Sequence, residues 1–271
     1  MQRRHMFRLI AAATVAAVSA LAMPAANAAD QTIRLGTMSG PDAQIWEVVR
    51  DVAKRKGLDI KIVEFNDYAQ PNAALDAGDL DANGFQHQPF LDSQIQARHY
   101  RIVNVGLTYV APMGFYSHKV KSLKDLPEGA KVGIQNDPSN GNRALRLLQA
   151  NGVLTLKPGA GENGRNATPL DIASNPKKLK LVELDSAILP RALDDLAAAS
   201  INTDYAVKAG LSPTRDAIAV EDLHGPYANL IAVREQDRSK PWVKELVAAY
   251  QSQEVRDFLA SKFKGSILPA F

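Results

Sequence analysis

Apolar positions follow two different spacings along the chain. In residues 32–36 apolar Ile33 and Leu35 alternate with polar residues, as in a strand. Apolar residues then recur from Ile45 to Val52 at i, i+3, i+4 and i+7, which is one face of a helix. Segments with strand spacing and segments with helix spacing alternate from there to the C-terminus. This pattern predicts strands at residues 32–36, 59–65, 81–85, 102–105, 107–110, 131–134, 179–184, 197–201 and 230–233. Helices are predicted between most of these strands, among them 70–77, 89–98, one capped by Ser139 and one between 184 and 197. Two amphipathic helices end the chain, so the order favours parallel sheets with helices on both faces.

The first residues have a different pattern. Met1 to Arg8 is basic, residues 9–23 are apolar without a charge, and Ala26-Asn27-Ala28 is a small-x-small site. This is the pattern of a secretory signal peptide, and we expect cleavage after Ala28 and export to the periplasm. The alternative is a membrane anchor, but the apolar run of about 15 residues is shorter than the roughly 20 that span a bilayer.

Composition narrows the function classes. The 271 residues include no cysteine, which excludes disulfides, thiolate metal sites, a cysteine nucleophile and a lipid-bearing N-terminal cysteine. We therefore expect a protein free in the periplasm, without a lipid anchor. The formal charge of +3 arises from 32 basic and 29 acidic residues, and residues 1–28 hold three of the arginines and no acid. The remainder is neutral, so no nucleic-acid partner is expected.

Polar and aromatic segments follow the predicted strands, where ligands bind in open α/β folds. They are residues 65–72, 81–90 and 136–145, and the pair 201–205 and 226–229. Arg143 falls in the first turn of a helix, where a cation opposes the helix dipole and a bound carboxylate would explain it. The ordinary alternatives are a solvated arginine, a structural histidine and an Asx-Pro-Ser helix cap. The residues alone therefore indicate an exported α/β protein with a candidate zwitterion site.

At these segments the sequence resembles the methionine-binding lipoproteins of bacterial ABC importers. The resemblance runs from about Ile33 to the C-terminus. Its main stretches are Asn66-Asp67-Tyr68, Phe85-Gln86-His87, Asn136-Asp137-Pro138-Ser139-Asn140, Arg143-Ala144-Leu145, Ile201-Asn202-Thr203 and Tyr227-Ala228-Asn229.

The resemblance implies a two-lobed α/β periplasmic binding protein of the second class. Residues 29–110 would form the first part of lobe 1, residues 111–226 lobe 2, and residues 227–271 the return segment and C-terminal helices on lobe 1. It implies a monomer that delivers methionine of either hand, or a related amino acid or dipeptide, to an inner-membrane ABC permease with its ATPase. No metal ion or cofactor is expected.

The resemblance also implies residue roles. Arg143 would hold the ligand carboxylate, Asn202 and Asn229 would serve its amino and carboxylate groups, and Asn140 would lie close by. The remaining contacts would form an aromatic side-chain wall of Tyr68, Phe85, His87 and Phe90. Sulfur–ring contacts make such a wall suitable for a thioether.

Three departures from the family pattern leave alternatives open. The lipobox cysteine is absent, Phe90 stands where tyrosine is common, and Gly84 is smaller than expected, which predicts extra space at the side-chain wall. Another apolar amino acid or a dipeptide is the first alternative, and an exported adhesin is the second. An enzyme is the least favoured, because the chain has no Gly-x-Ser-x-Gly, His-Glu-x-x-His or P-loop motif.

Overall fold

The computed structural model describes residues 31–271, so the predicted signal peptide and its cleavage site lie outside the described residues. The helices are α1 (Pro41–Lys54), α2 (Gln70–Ala77), α3 (Gln88–Arg98), α4 (Pro138–Ala150), α5 (Thr203–Lys208), α6 (Pro241–Tyr250) and α7 (Gln253–Phe263). The strands are β1 (Gln31–Met38), β2 (Leu58–Phe65), β3 (Ala82–His87), β4 (Ile102–Leu107), β5 (Tyr109–Val110), β6 (Gly114–Tyr116), β7 (Lys131–Gln135), β8 (Thr155–Leu156), β9 (Ile172–Ser174), β10 (Lys180–Leu184), β11 (Ala198–Ile201), β12 (Ala217–Val220), β13 (Asn229–Arg234) and β14 (Leu268–Pro269).

The strands build two five-stranded sheets, one for each lobe. The first has the order β2-β1-β3-β13-β4, and the second has the order β10-β7-β11-β6-β12. The chain passes to the second sheet between β5 and β6 and returns between β12 and β13. The helices α1, α6 and α7 pack together on the first sheet, around a core that includes Trp46, Leu246 and Leu259. The exact domain boundaries, after residues 110 and 226, stay a prediction.

Both sheets are mixed rather than uniformly parallel. In the first, β1 pairs in parallel with β2 and β3, whereas β13 runs antiparallel to β3 and β4. In the second, β7 pairs in parallel with β10 and β11, whereas β6 runs antiparallel to β11 and β12. The crossing strands enter each sheet from the other lobe, and this direction of entry reverses them.

Three of the predicted local features are wrong. Arg143 lies in the second turn of α4 and not in the first, because the helix begins at Pro138. The cap of α4 is Asp137, whose Oδ1 accepts the Asn140 N–H at 2.9 Å, and not Ser139. Pro138 occupies the first helical position, where a missing N–H costs nothing. The helix therefore starts earlier in the sequence than a cap at Ser139 would allow. The helix predicted between β10 and β11 is a series of turns around Pro190, because proline interrupts the helical hydrogen bonds.

Gly84 does not enlarge the side-chain wall, which corrects the expectation drawn from the sequence. A Cβ at Gly84 would lie 2.1 Å from Cζ2 of Trp46, and the Trp46 Nε1–H donates to the Gly84 carbonyl at 3.0 Å. The missing side chain therefore makes room for the indole of α1 in the core of lobe 1.

The described chain offers neither a membrane-spanning helix nor a ready-made metal site. From residue 31 onward no helix is both long and apolar enough to cross a bilayer. The same residues contain no group of three or more His, Cys, Asp or Glu arranged to hold a metal ion.

Candidate ligand-binding site

A cavity lies between the two lobes and contains about 450 Å³ of space free of protein atoms, including its opening. All eight residues singled out in the sequence line it: Tyr68, Phe85, His87, Phe90, Asn140, Arg143, Asn202 and Asn229. The first lobe contributes the ends of β2 and β3 and the start of α3. The second contributes the starts of α4 and α5, and β13 begins at the cavity on the return to lobe 1.

The aromatic residues of lobe 1 form one wall. The ring centroid of Tyr68 lies 6.0 Å from that of Phe85 and 5.9 Å from that of Phe90, and Phe85 and Phe90 are 6.0 Å apart. The segment after β2 supplies Tyr68, while Phe85 and Phe90 flank the junction of β3 and α3. Apolar ring faces and edges are therefore presented to anything bound in the cavity.

His87 joins the two lobes as a neutral imidazole. Its Nδ1 accepts the Phe90 N–H at 3.2 Å and caps α3, so the ring proton resides on Nε2. Nε2 lies 3.2 Å from Oδ1 of Asn140 on the other lobe. Burial, together with the positive charge of Arg143, lowers the pKa of His87 from 6.5 to about 3.

The amides of lobe 2 form a buried network. Asn140 Oδ1 also accepts the Asn202 Nδ2–H at 3.0 Å, and Gln135 donates to Asn202 Oδ1 at 2.8 Å. Asn140 is thus occupied by protein partners, whereas Asn202 Oδ1 retains capacity for a second donor. The side chain of Asn229 makes no hydrogen bond within the described chain, although its residue lies at the cavity.

Arg143 is buried and its charge is already paired. Its Nε donates to Glu221 Oε2 at 2.6 Å, and its Nη2 donates both to Glu221 Oε1 and to the Ala111 carbonyl. The side chains of Arg143 and Glu221 are 4% and 10% exposed. Nη1 bonds to no residue between 31 and 271, and the guanidinium Cζ lies 4.3 Å from the ring centroid of Tyr227. The free Nη1 is therefore the part of Arg143 that can meet a ligand.

Sequence reasoning missed several residues at the site. The cavity is also lined by Tyr109, Tyr227 and Asp204. Tyr227 and Asp204 fall inside segments that the sequence singled out, and so had a signal. Glu221 had none, because it is 78 positions from Arg143 and follows a strand that the pattern did not predict.

Two acidic side chains lie near one end of the cavity. The Tyr68 hydroxyl is 2.7 and 2.8 Å from the two carboxylate oxygens of Asp204, and Tyr109 donates to Asp42 at 2.5 Å. Burial raises the pKa of Asp204, against the lowering effect of the Tyr68 hydrogen bond. Burial, with the nearby charge of Asp204, raises the pKa of Asp42 well above its usual value.

Replacing His87 by asparagine should flatten the loss of stability in acid. Unfolded histidine binds a proton below about pH 6.5, but folded His87 stays neutral down to about 3, so unfolding takes up a proton between these values. Stability from this group is present above about pH 6.5 and is lost as the pH falls, by at most about 1.4 kcal/mol per unit. The free energy of unfolding in urea, from about pH 7 to 4.5, should fall more steeply for the parent than for His87→Asn. Asparagine can still cap α3. Parallel slopes for the two proteins would show that His87 is not held neutral.

Comparison with solved structures supports the fold and the resemblance. The chain is 63% identical to a nutrient binding protein from Burkholderia cenocepacia bound to methionine, with a TM-score of 0.87 over 88% of this chain and 100% of that one. A periplasmic substrate-binding protein of an ABC transporter from Coxiella burnetii is 49% identical, with a TM-score of 0.84 over 88% and 100% of the two chains. The two-lobed α/β prediction is thereby confirmed.

A comparison with curated proteins corrects one expectation. The D-methionine-binding lipoprotein MetQ of Salmonella typhimurium is 50% identical over 236 residues, which cover 86% of each chain. Because this relative is a lipoprotein, the expectation of a protein without a lipid anchor is not borne out. That expectation rested on the absence of cysteine, and the predicted cleavage site lies outside the described residues.

The match to a family model covers nearly all of the described chain. The model of the NlpA lipoprotein family matches residues 33–271, the same span over which the sequence motifs occur. The resemblance seen in the sequence is confirmed, and the chain belongs to the NlpA lipoprotein family.

Proposed function

We propose that this protein is a periplasmic binding protein that holds methionine between its lobes and delivers it to an ABC importer. The observation that carries the proposal is that all eight candidate residues, from both lobes, line one cavity. The 63% identity to a protein bound to methionine supports the choice of ligand. The protein is a binding protein and not an enzyme, in keeping with the substrate-binding proteins to which it is similar.

The proposed roles follow the free hydrogen-bonding groups. Arg143 offers Nη1 to the ligand carboxylate, and Asn229 offers its unengaged amide. Asn202 offers Oδ1 to the ammonium group. Asn140, whose oxygen already accepts from His87 and Asn202, positions these two rather than binding the ligand through that oxygen.

The ligand side chain would lie against the aromatic wall. The Tyr68, Phe85 and Phe90 rings supply apolar surface, and a thioether sulfur near such a ring gains roughly 0.3–1.5 kcal/mol. His87 adds a neutral ring between the wall and the amides. Because Gly84 adds no space at the aromatic wall, the wall favours a ligand side chain of the size of methionine's over a bulkier one.

The proposed partners and location complete the function. An inner-membrane permease with its ATPase would receive the ligand, and the protein would act as a monomer in the periplasm. Cleavage after Ala28 stays a prediction. The split of the site between two lobes joined by two crossing segments favours hinge closure on the ligand.

Methionine should stabilise the protein and close its lobes. A ligand that binds only the folded state adds about 2.7 kcal/mol at a hundredfold excess over its Kd, so a thermal-shift screen should select it. We would unfold and refold the protein to remove co-purified ligand, and then test both hands of methionine, other apolar amino acids and methionine dipeptides. Small-angle scattering should show a smaller radius of gyration with the ligand that gives the largest shift.

The screen distinguishes the proposal from its alternatives. Stabilisation by a different amino acid, or by a dipeptide alone, would replace methionine as the ligand but keep the binding function. The absence of a shift with every compound, and of compaction at millimolar ligand, would contradict the proposal. Serine and glutamate are suitable negative controls, because neither can fill an apolar side-chain wall.

A further inference from the structure

The side chains that line the cavity do not provide the net positive charge expected of a site that binds a carboxylate. Two charged side chains line it, Arg143 and Asp204. The positive charge of Arg143 is compensated by Glu221 through a two-point contact. A ligand carboxylate at Nη1 would therefore gain a hydrogen-bond donor, but no uncompensated positive charge.

Asp204 is the opposite case. It makes no ion pair within residues 31–271, and its carboxylate faces the hydroxyl of Tyr68. The cation on its own helix, Lys208, donates instead to Ser39 at 2.6 Å and to Asn66 at 2.8 Å. An ionised Asp204 thus leaves an excess negative charge at the cavity.

The surroundings of Asp204 make the binding of a cation beside it more favourable. Asp42 is 1% exposed and lies behind Tyr109, and burial raises the pKa values of both carboxyl groups. Desolvation of this kind is relieved when a positive group enters and hydrogen-bonds to the carboxylate. His87 cannot supply that charge because it is neutral.

We propose that Asp204 is the counter-ion of the ligand's ammonium group, so that the site selects its ligand by the ammonium more strongly than by the carboxylate. The geometry that carries this is a carboxylate that lines the same cavity as Asn202 and makes no ion pair among residues 31–271, while the arginine of that cavity is already paired. The Asp204 carboxylate and the free lone pair of Asn202 Oδ1 would then both accept from the –NH₃⁺ group. The inference rests on the proposed function and names a residue that determines its specificity.

Three probes distinguish the contributions of the ligand's ammonium and carboxylate groups to its affinity. They are L-methionine, its carboxamide (which keeps the ammonium and loses the carboxylate charge), and its 2-hydroxy acid analogue (which keeps the carboxylate and loses the ammonium). Calorimetric titration of the parent should give a larger loss for the hydroxy acid than for the carboxamide. A charge-assisted hydrogen bond predicts a loss of about 10- to 100-fold for the hydroxy acid.

The variant Asp204→Asn tests the residue itself. It keeps an oxygen for the Tyr68 hydroxyl, and should weaken methionine and the carboxamide by about 10- to 100-fold while changing the hydroxy acid little. Asp195→Asn, an exposed change on the same lobe, should leave all three affinities unchanged. A thermal melt checks that Asp204→Asn is folded, and the comparison of probes on the parent needs no variant.

The outcomes are decisive in each direction. Equal weakening of all three probes by Asp204→Asn would assign it a structural role and overturn the inference. So would a parent that binds the hydroxy acid as tightly as methionine, and in both cases the proposed function would stand. If none of the three probes binds the parent, the proposed function fails and the inference falls with it.

Discussion

Arg143→Met should cost the ligand-free protein about 3–5 kcal/mol of stability, because it leaves Glu221 buried without its partner. It should also weaken methionine binding, because the donor Nη1 is lost. An arginine that served only the ligand would not support the core, and its loss would cost little stability. The contacts of Arg143 to Glu221 and to the Ala111 carbonyl join α4 to the crossing segments instead. The free energy of unfolding in urea, without ligand, measures the effect.

The double variant Arg143→Met/Glu221→Gln separates the two roles. With neither charge present, most of the lost stability should return, because replacing a buried pair by neutral groups is often close to neutral. Glutamine also keeps an acceptor for the Met113 N–H, which Glu221 accepts at 3.0 Å. The affinity for methionine should recover only in part, since Nη1 is still absent. Arg191→Met, an exposed change on the same lobe at a guanidinium with no hydrogen bond or ion pair among residues 31–271, should alter stability by less than about 0.5 kcal/mol.

The prediction is contradicted if the single variant remains as stable as the parent, or if the double variant binds methionine with parental affinity. The first result would mean that the ion pair is not formed in solution. The second would mean that Nη1 does not meet the ligand.

Trp46→Ala should destabilise the ligand-free protein by about 3–5 kcal/mol, the range for removing a large buried aromatic side chain. Trp46 is 1% exposed, and its ring centroid lies 4.9 Å from that of Tyr250. Its removal also leaves the Gly84 carbonyl without the indole N–H. Urea denaturation at neutral pH measures the loss.

Gly84→Ala provides the matched test of this packing. In the parent, the new methyl group would collide with the indole and should cost about 1–3 kcal/mol. In the Trp46→Ala background the same methyl group enters the vacated space, so its cost should nearly disappear. Additive effects of the two changes would contradict the packing. Methionine affinity should change little in any of these folded variants, because Phe85, the neighbour of Gly84 on β3, points to the opposite face of the sheet.

Much of the local structure could be read from the sequence. The apolar spacing from Ile45 to Val52 predicted α1, and the glycine at 78, which adopts a left-handed conformation, ends α2 as expected. Such features depend on residues within a few turns of each other, so a single segment contains the information. The short strands β6 and β12 and the short helix α5 escaped prediction because so few residues show no clear period.

The candidate site shows the same division between what local sequence predicts and what tertiary contacts decide. The sequence by itself determined which chemistry gathers after the strands: aromatic rings around His87, amides at Asn140 and Asn202, and Arg143 in α4. Only the tertiary structure decided the state of each group. It paired Arg143 with Glu221 across 78 positions, made His87 a neutral link between lobes, and left Asp204 without an ion pair among residues 31–271. Charge pairing and burial depend on which distant segments come into contact. Here those contacts arise because the chain crosses twice between two sheets. A local sequence pattern contains no information about them.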